Sequence, residues 1–99
     1  MAERQIIYWR DIPAQVIVRR RREAVKRELS LRFIEAIDRC AMADNLRDSD
    51  AYLAEWHKSA PEPCGEDLAA EADALVASLE ASFDAARLKA LVASRGRAS

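Results

Sequence analysis

Apolar residues recur along this chain with two different periods. Between residues 4 and 19 they come in short runs, RQIIYWR and QVIVR, rich in β-branched and aromatic types. Such runs favour strands. DIPA separates them, and Pro13 presets φ for a turn. The pattern predicts an antiparallel hairpin with strands at residues 4–10 and 15–19. Regular alternation places Gln5, Ile7 and Trp9 on one face of the first strand and Ile6, Tyr8 and Arg10 on the other. The second strand divides Val16 and Val18 from Ile17 in the same way, so both faces carry apolar side chains. A lone hairpin is marginal in water. One face is therefore expected under a helix, and the other under later helices or a second chain.

From residue 20 the period lengthens. Val25, Leu29, Phe33, Ala36, Ile37, Cys40 and Ala41 follow at helical spacings, which predicts one long helix over residues 20–45. Glu23–Arg27, Glu28–Arg32 and Glu35–Arg39 would be i,i+4 pairs on its wet face, each worth about 0.3–0.5 kcal/mol. Asp44-Asn45 marks its end. A second helix is expected from an N-cap at Asp48 or Ser49 to Lys58, with Tyr52 or Leu53 and Trp56 inward. Pro61 and Pro63 stop it, leaving SAPEPCG as a loop. A last helix over residues 66–94 carries the stripe Leu68, Ala72, Leu75, Leu79, Phe83, Ala86 and Ala90, and RGRAS follows as a frayed tail. The expected fold is one α+β domain over residues 1–94: an N-terminal two-stranded antiparallel hairpin packed on a long helix, followed by two further helices.

Composition adds bounds. A charged fraction of 33% and a hydrophobic fraction of 51%, with two Gly and three Pro, suit a soluble and largely helical chain. Net charge is -1, but residues 1–45 hold ten Lys and Arg against seven Asp and Glu, and the remainder reverses the balance. That polarity can orient an encounter without making a nucleic-acid tail. No apolar run reaches membrane-spanning length. Arg10 and Asp11 interrupt the first apolar stretch before it resembles a signal core. A cytoplasmic setting is expected, with Cys40 and Cys64 reduced.

Candidate chemistry is sparse. His57 has no ligand or base partner at a recognisable spacing, and it reads as an exposed helix residue. Cys40 falls on the apolar stripe. Cys64 precedes an acidic helix start, where Glu62, Glu66 and Asp67 oppose a thiolate. With Gly65 and Gly96 as the only glycines, a phosphate-cradling loop is excluded. No cofactor and no metal is expected, and no active site of the chain's own. The run Arg19, Arg20, Arg21 and Arg22 reads as a solvated junction, a phosphate contact, or a dock for an acidic protein. Glu23, Glu28 and a pI near 5.8 weigh against non-specific nucleic-acid binding. Tyr8, Trp9 and Arg10 form an aromatic and guanidinium cluster of the kind found at interface hot spots. Alternation sends Trp9 under the long helix and Arg10 outward with Tyr8.

The segments IIYWRDIPAQVIVRRRR, FIEAIDRCAM and DAYLAEWHK together resemble the small bacterial "virulence factor" domain family. The resemblance spans residues 5–58, with a weaker helical continuation to residue 92. Its recurring parts are YWRDIP, here Tyr8 to Pro13, and a short Trp-containing helix, here Ala51 to Trp56. The family supplies no catalytic residues to carry over. It implies a setting near folate- or corrinoid-dependent methyl-transfer enzymes, beside which some members are encoded. The expected function is a non-catalytic accessory or interaction protein of the bacterial cytoplasm. Its contact surface would be Tyr8, Trp9, Arg10, Asp11, Arg19, Arg20, Arg21 and Arg22. The partner would be a protein such as a methyl-transfer enzyme, or a second copy in a homodimer; nucleic acid and membrane are not expected. Two other classes stay open: a nucleic-acid-associated regulator using Arg19 to Arg22, and a small enzyme or cofactor carrier using His57 or Cys64.

Overall fold

Two hairpins with a strand in common build the centre of the molecule. Strand β1 (Ala2–Trp9) pairs with β2 (Ile12–Arg20), and β2 pairs with β3 (Glu23–Glu28). Helices α1 (Leu31–Ala43) and α2 (Asp50–Ala54) follow, then the three-residue strands β4 (Trp56–Lys58) and β5 (Glu62–Cys64), then α3 (Leu68–Ser82) and α4 (Ala85–Ala93). The computed structural model describes residues 1–46 and 49–98. All pairings are antiparallel, in the order β3-β2-β1-β4, with β5 further along the same edge of β1. The fold class is α+β with an N-terminal hairpin, as the pattern predicts, but the sheet is larger and the helices are shorter.

The turn of the first hairpin is Arg10-Asp11, between the paired Trp9 and Ile12, and not DIPA. Pro13 lies inside β2 opposite Tyr8, where the register shifts between Ile7 and Tyr8. Proline has no N–H to lend the ladder, and an irregularity of this kind is where a strand tolerates that loss. The shift also changes which face points inward. Trp9 is fully buried in the core with Val16, Val18 and Phe33, and Ile6 packs against that core while Ile7 does not. Strict alternation had joined Ile7 to Trp9.

Residues 23–28 are a strand, not the first half of a helix. Arg20 and Glu23 pair across the two-residue turn Arg21-Arg22, and Val25 sits opposite Val18. Helix-forming residues there yield to a ladder that satisfies the free edge of β2. The expected i,i+4 pairs are replaced by cross-element ones: Arg20 with Glu23 at 3.2 Å, Arg27 with Asp73 at 3.0 Å and Arg32 with Glu80 at 2.9 Å. Helix α1 starts after Ser30 and buries Phe33, Ala36, Ile37, Cys40 and Ala41, the predicted stripe. Asn45, with φ +57, ends it, and Leu46 N–H closes on the Ala41 carbonyl at 2.8 Å.

The second helix is a single short turn. Ser49 caps it by accepting from Tyr52 N–H at 3.2 Å; Asp48 lies outside the described residues. Trp56–Lys58 leaves the helix to extend the sheet, and β5 arises inside the expected loop. Ser59 joins the two short strands to β1: its N–H donates to the Ile6 carbonyl, and its Oγ accepts from Ile6 N–H at 2.8 Å. The last helix is two. The chain breaks at Phe83 (φ -101, ψ 70), and Asp84 recaps it through Arg87 N–H at 2.8 Å. That break resets the helical phase, so Leu88 and Leu91 are buried while Ala86 and Ala90 are exposed.

Helices α1 and α3 cover one face of the sheet, and α4 packs on α1. On the other face Ile17 is only 2% exposed yet stands apart from the core; its cross-strand neighbours are Gln5 and Lys26. Antiparallel sheets commonly leave one face to water. Among the described residues no helix is long and apolar enough to cross a membrane.

Candidate functional site

The Arg10-Asp11 turn is held from several sides at once. Arg10 sits at φ +54, a conformation that costs a side-chain-bearing residue about 1–2 kcal/mol. Its N–H donates to the Glu55 carbonyl at 3.0 Å, and Asp11 N–H donates to the Gly96 carbonyl at 2.8 Å. His57 Nε2–H donates to the Arg10 carbonyl at 2.6 Å. A carbonyl oxygen can only accept, so this contact places a proton on Nε2.

The Arg10 side chain runs inward, against the sequence expectation. The residue is 8% exposed. Its Nε donates to Glu55 Oε2 at 2.6 Å, and its Nη1 donates to Asp44 Oδ2 at 2.5 Å and to the Arg95 carbonyl at 2.7 Å. The guanidinium lies 4.7 Å from the Trp9 ring centroid. Arg95 pairs with Asp44, and Arg97 pairs with Glu55 at 3.0 Å. Hydrogen bonding to Arg10 first, outweighing partial burial, holds the Asp44 carboxyl below its ordinary value. Burial would lower the Arg10 pKa, but the bonds from Asp44 and Glu55 raise it. Trp9 is buried as expected, with Nε1–H donating to the Tyr52 carbonyl at 3.0 Å. Trp9 and Arg10 thus belong to the interior and support the turn from below.

Arg95, Gly96 and Ala98, within the tail expected to fray, complete this support; Ser99 lies outside the described residues. Arg95 (φ +60) and Gly96 (φ +81) close α4, with Arg95 N–H to Val92 and Gly96 N–H to Leu91, a Schellman closure. Ala98 N–H then donates to Asp11 Oδ2 at 2.6 Å.

Above this base lies a groove. Strand pairing sets Tyr8 opposite His57, and their rings stack at 5.5 Å with 15° between planes. Burial, then Asp11, pushes the Tyr8 phenol up from its ordinary pKa. Across from them the Arg87 guanidinium lies 3.8 Å over the Phe83 ring and donates to the Ser82 carbonyl and Oγ. Tyr8, Asp11, His57, Phe83, Arg87 and Ala98 line a cavity of about 250 Å³. It shares Asp11, Phe83, Arg87 and Ala98 with a second hollow of about 350 Å³ that reaches Arg97. Two flat stacked faces, one carboxylate and one guanidinium suit recognition of planar or charged groups on a partner.

The structure therefore gathers Tyr8 and Asp11 with His57, which stands on β4 and not on a helix. It adds Phe83 and Arg87, which sequence reasoning missed. Asp84 at the start of α4 was the available signal, because an N-cap there restarts the helix and turns Arg87 toward this end. Arg19, Arg20, Arg21 and Arg22 lie at the other end of β2, roughly 27 Å away for eight residue steps of strand. Arg20 is bonded to Glu23 and to the Glu66 carbonyl, while Arg19, Arg21 and Arg22 are exposed. Cys40 is buried beside Arg10 and Gly96, and burial raises its thiol pKa. Cys64 sits on β5, its thiol raised by desolvation and then by Glu71. Among the described residues no three His, Cys, Asp or Glu side chains gather as a metal site.

No curated protein and no solved structure matches this chain. A family model described as "Virulence factor" matches residues 7–92, which takes in the Arg10-Asp11 turn and Tyr8, His57, Phe83 and Arg87 of the groove. The chain belongs to the virulence factor family.

Proposed function

We propose that this domain is a non-catalytic interaction module that presents the groove at the Arg10-Asp11 turn to a protein partner. The observation that carries this reading is the pair of facing stacks, Tyr8 on His57 and Arg87 on Phe83, standing on a turn braced by the buried Arg10. Pre-ordered aromatic and guanidinium groups lose little entropy on binding, which is why such groups dominate interfaces. A recognition role also fits the ring chemistry, since His57 Nε2 is committed to a backbone carbonyl. The thiols of Cys40 and Cys64 are not among the groups that line the groove. Methyl-transfer enzymes that use folate or corrinoid are the first partners to assay, on the strength of the resemblance alone.

The test is capture with chemical cross-linking from bacterial lysate, read by mass spectrometry, alongside purified methyl-transfer enzymes. The wild-type protein should retain a discrete partner that His57→Ala and Arg87→Ala lose while their melting curves stay close to wild type. Equal capture by wild type and both folded variants would refute the assignment of the groove.

A further inference from the structure

The opposite flank of α4 carries a second, unconnected surface. Helices α1 and α4 lie side by side and leave a cleft of about 320 Å³ between them. Its floor is apolar: Ala36 from α1, with Ala85, Leu88 and Val92 from α4. Its rim carries Arg39, Lys89 and Glu35, and neither cation has an ion-pair partner among the described residues. Arg32 at one end is already committed to Glu80 and the Phe83 carbonyl.

The solvent side of α1 extends the cleft. Leu31, Glu35, Arg39 and Met42 follow at spacings of four, four and three, so they form one ridge beside the cleft. Leu31 is 69% exposed and Met42 is 60% exposed, and they stand at the two ends of that ridge. Ile34, also exposed, lies on the other flank of α1. A soluble surface helix normally keeps large apolar side chains off its wet side. Here two of them frame a charged centre, about 16 Å apart along the axis at 1.5 Å per residue.

We propose that the α1–α4 cleft docks an amphipathic, acidic α-helix of a partner protein. A cleft between two packed helices accepts a third helix by the same ridge-and-groove fit that joins the first two. Leu88, Val92 and Ala36 would receive its apolar stripe, and Leu31 and Met42 would cover its ends. Arg39 and Lys89 would meet carboxylates on its flanks. The complementarity is local, since the whole chain carries a net charge of -1. Two cations without an ion-pair partner among the described residues fall short of the four to eight that mark an anionic membrane surface. The surface is separate from the turn groove: it uses Ala85, Leu88, Lys89 and Val92, whereas the hollow on the other flank uses Arg87, Ala90, Leu91 and Ser94. It does not rest on the preceding reading.

The test is a displayed library of helices of about 14 residues, long enough to span the ridge. Apolar positions are fixed at i, i+4, i+7 and i+11, and the flanking positions vary between Glu and Lys. The full-length protein is the bait. The expected result is enrichment of Glu-flanked helices, with a representative peptide binding about tenfold more tightly than its Lys-flanked counterpart. The double variant R39E/K89E touches only exposed side chains, and its fold is checked by thermal melt. It should invert the preference and enrich Lys-flanked helices. Amide chemical shifts on titration should move at Ala36, Ala85 and Val92 and stay still at Tyr8 and His57. No enrichment at micromolar bait, the same flank composition with both baits, shifts confined to the turn groove, or binding to phosphatidylglycerol vesicles in place of peptides would each overturn the proposal.

Discussion

Removing the Arg10 side chain should destabilise the domain, although an arginine at a hairpin turn would ordinarily be dispensable. Arg10→Ala deletes two ion pairs, at 2.5 Å to Asp44 and 2.6 Å to Glu55, and a hydrogen bond to the Arg95 carbonyl. Breaking a buried pair by deleting one member costs about 3–5 kcal/mol, because the other charge is stranded. Asp44 and Glu55 are each 25% exposed and each retains a second arginine, Arg95 and Arg97. Water and those partners recover part of the loss, leaving about 2–3 kcal/mol. The guanidinium over Trp9 adds about 0.5–1 kcal/mol. Together these amount to about 2.5–4 kcal/mol, and for a domain of this size each kcal/mol lowers Tm by about 4–8 °C, so a fall of about 10–32 °C is expected. Circular dichroism melts and urea titration measure it. Arg10→Lys keeps the charge but loses the planar fork, and should fall between. A double-mutant cycle of Arg10→Ala with Glu55→Gln should show coupling above about 1 kcal/mol. An Arg10→Ala melt within about 4 °C of wild type, or additive effects in the cycle, would show that the network contributes specificity and not stability.

Four further outcomes are expected. Trp9→Ala should cost about 4–5 kcal/mol in urea, because a fully buried ring is lost and the Tyr52 carbonyl loses its donor. Two backbone variants should move in opposite directions on the same melts: Arg21→Gly, exposed at φ +56, should gain about 0.5–1 kcal/mol, and Gly96→Ala, at φ +81, should lose about 1–2 kcal/mol. Asp44 and Glu80 both ionise below their ordinary values of 3.8 and 4.5, so the stability they confer is complete above that range and is lost as pH falls through the lowered folded values. Tm should therefore hold from neutrality down to about pH 5 and then drop, and Asp44→Asn should flatten that acid limb. A thiol reagent should titrate Cys64 in the folded protein and reach the buried Cys40 only after urea is added.

The strands of the first hairpin and the inner stripe of α1 were legible because their apolar periods are long enough to exclude the alternatives. β3 was not. Val25, Leu29 and Phe33 keep helical spacing straight across the end of a strand and into a helix, and Glu, Lys and Arg favour the helix reading. Only the unpaired edge of β2 decides otherwise, and an edge is not a property of residues 23–28 themselves. Both hairpin turns also lack the Gly or Asn that usually announces positive φ, since arginine fills Arg10 and Arg21. The three-residue strands WHK and EPC are too short to carry a period. The groove depended on them: Tyr8 meets His57 only once β4 is known, and Arg87 faces it only once the break at Phe83 is known. Arg10 was misplaced because alternation was carried through a turn, where it no longer governs direction.

The partners of Arg10 lie 34, 45 and 85 residues further along the chain, and this spacing sets an order of events during synthesis. When Glu55 has left the ribosome, one arginine faces two carboxylates. The neutralising arginines at 95 and 97 and the accepting carbonyl of Arg95 come last. At translation speeds of about 5–20 residues per second, the interval between the second acid and the closing residues is about 2–8 s. For that time the nascent domain holds an acidic excess at its centre and a turn with no floor. Ordering of the turn therefore waits for residues 95–97, and a chain that stalls before residue 95 keeps an unneutralised acid beside Arg10 however complete its sheet.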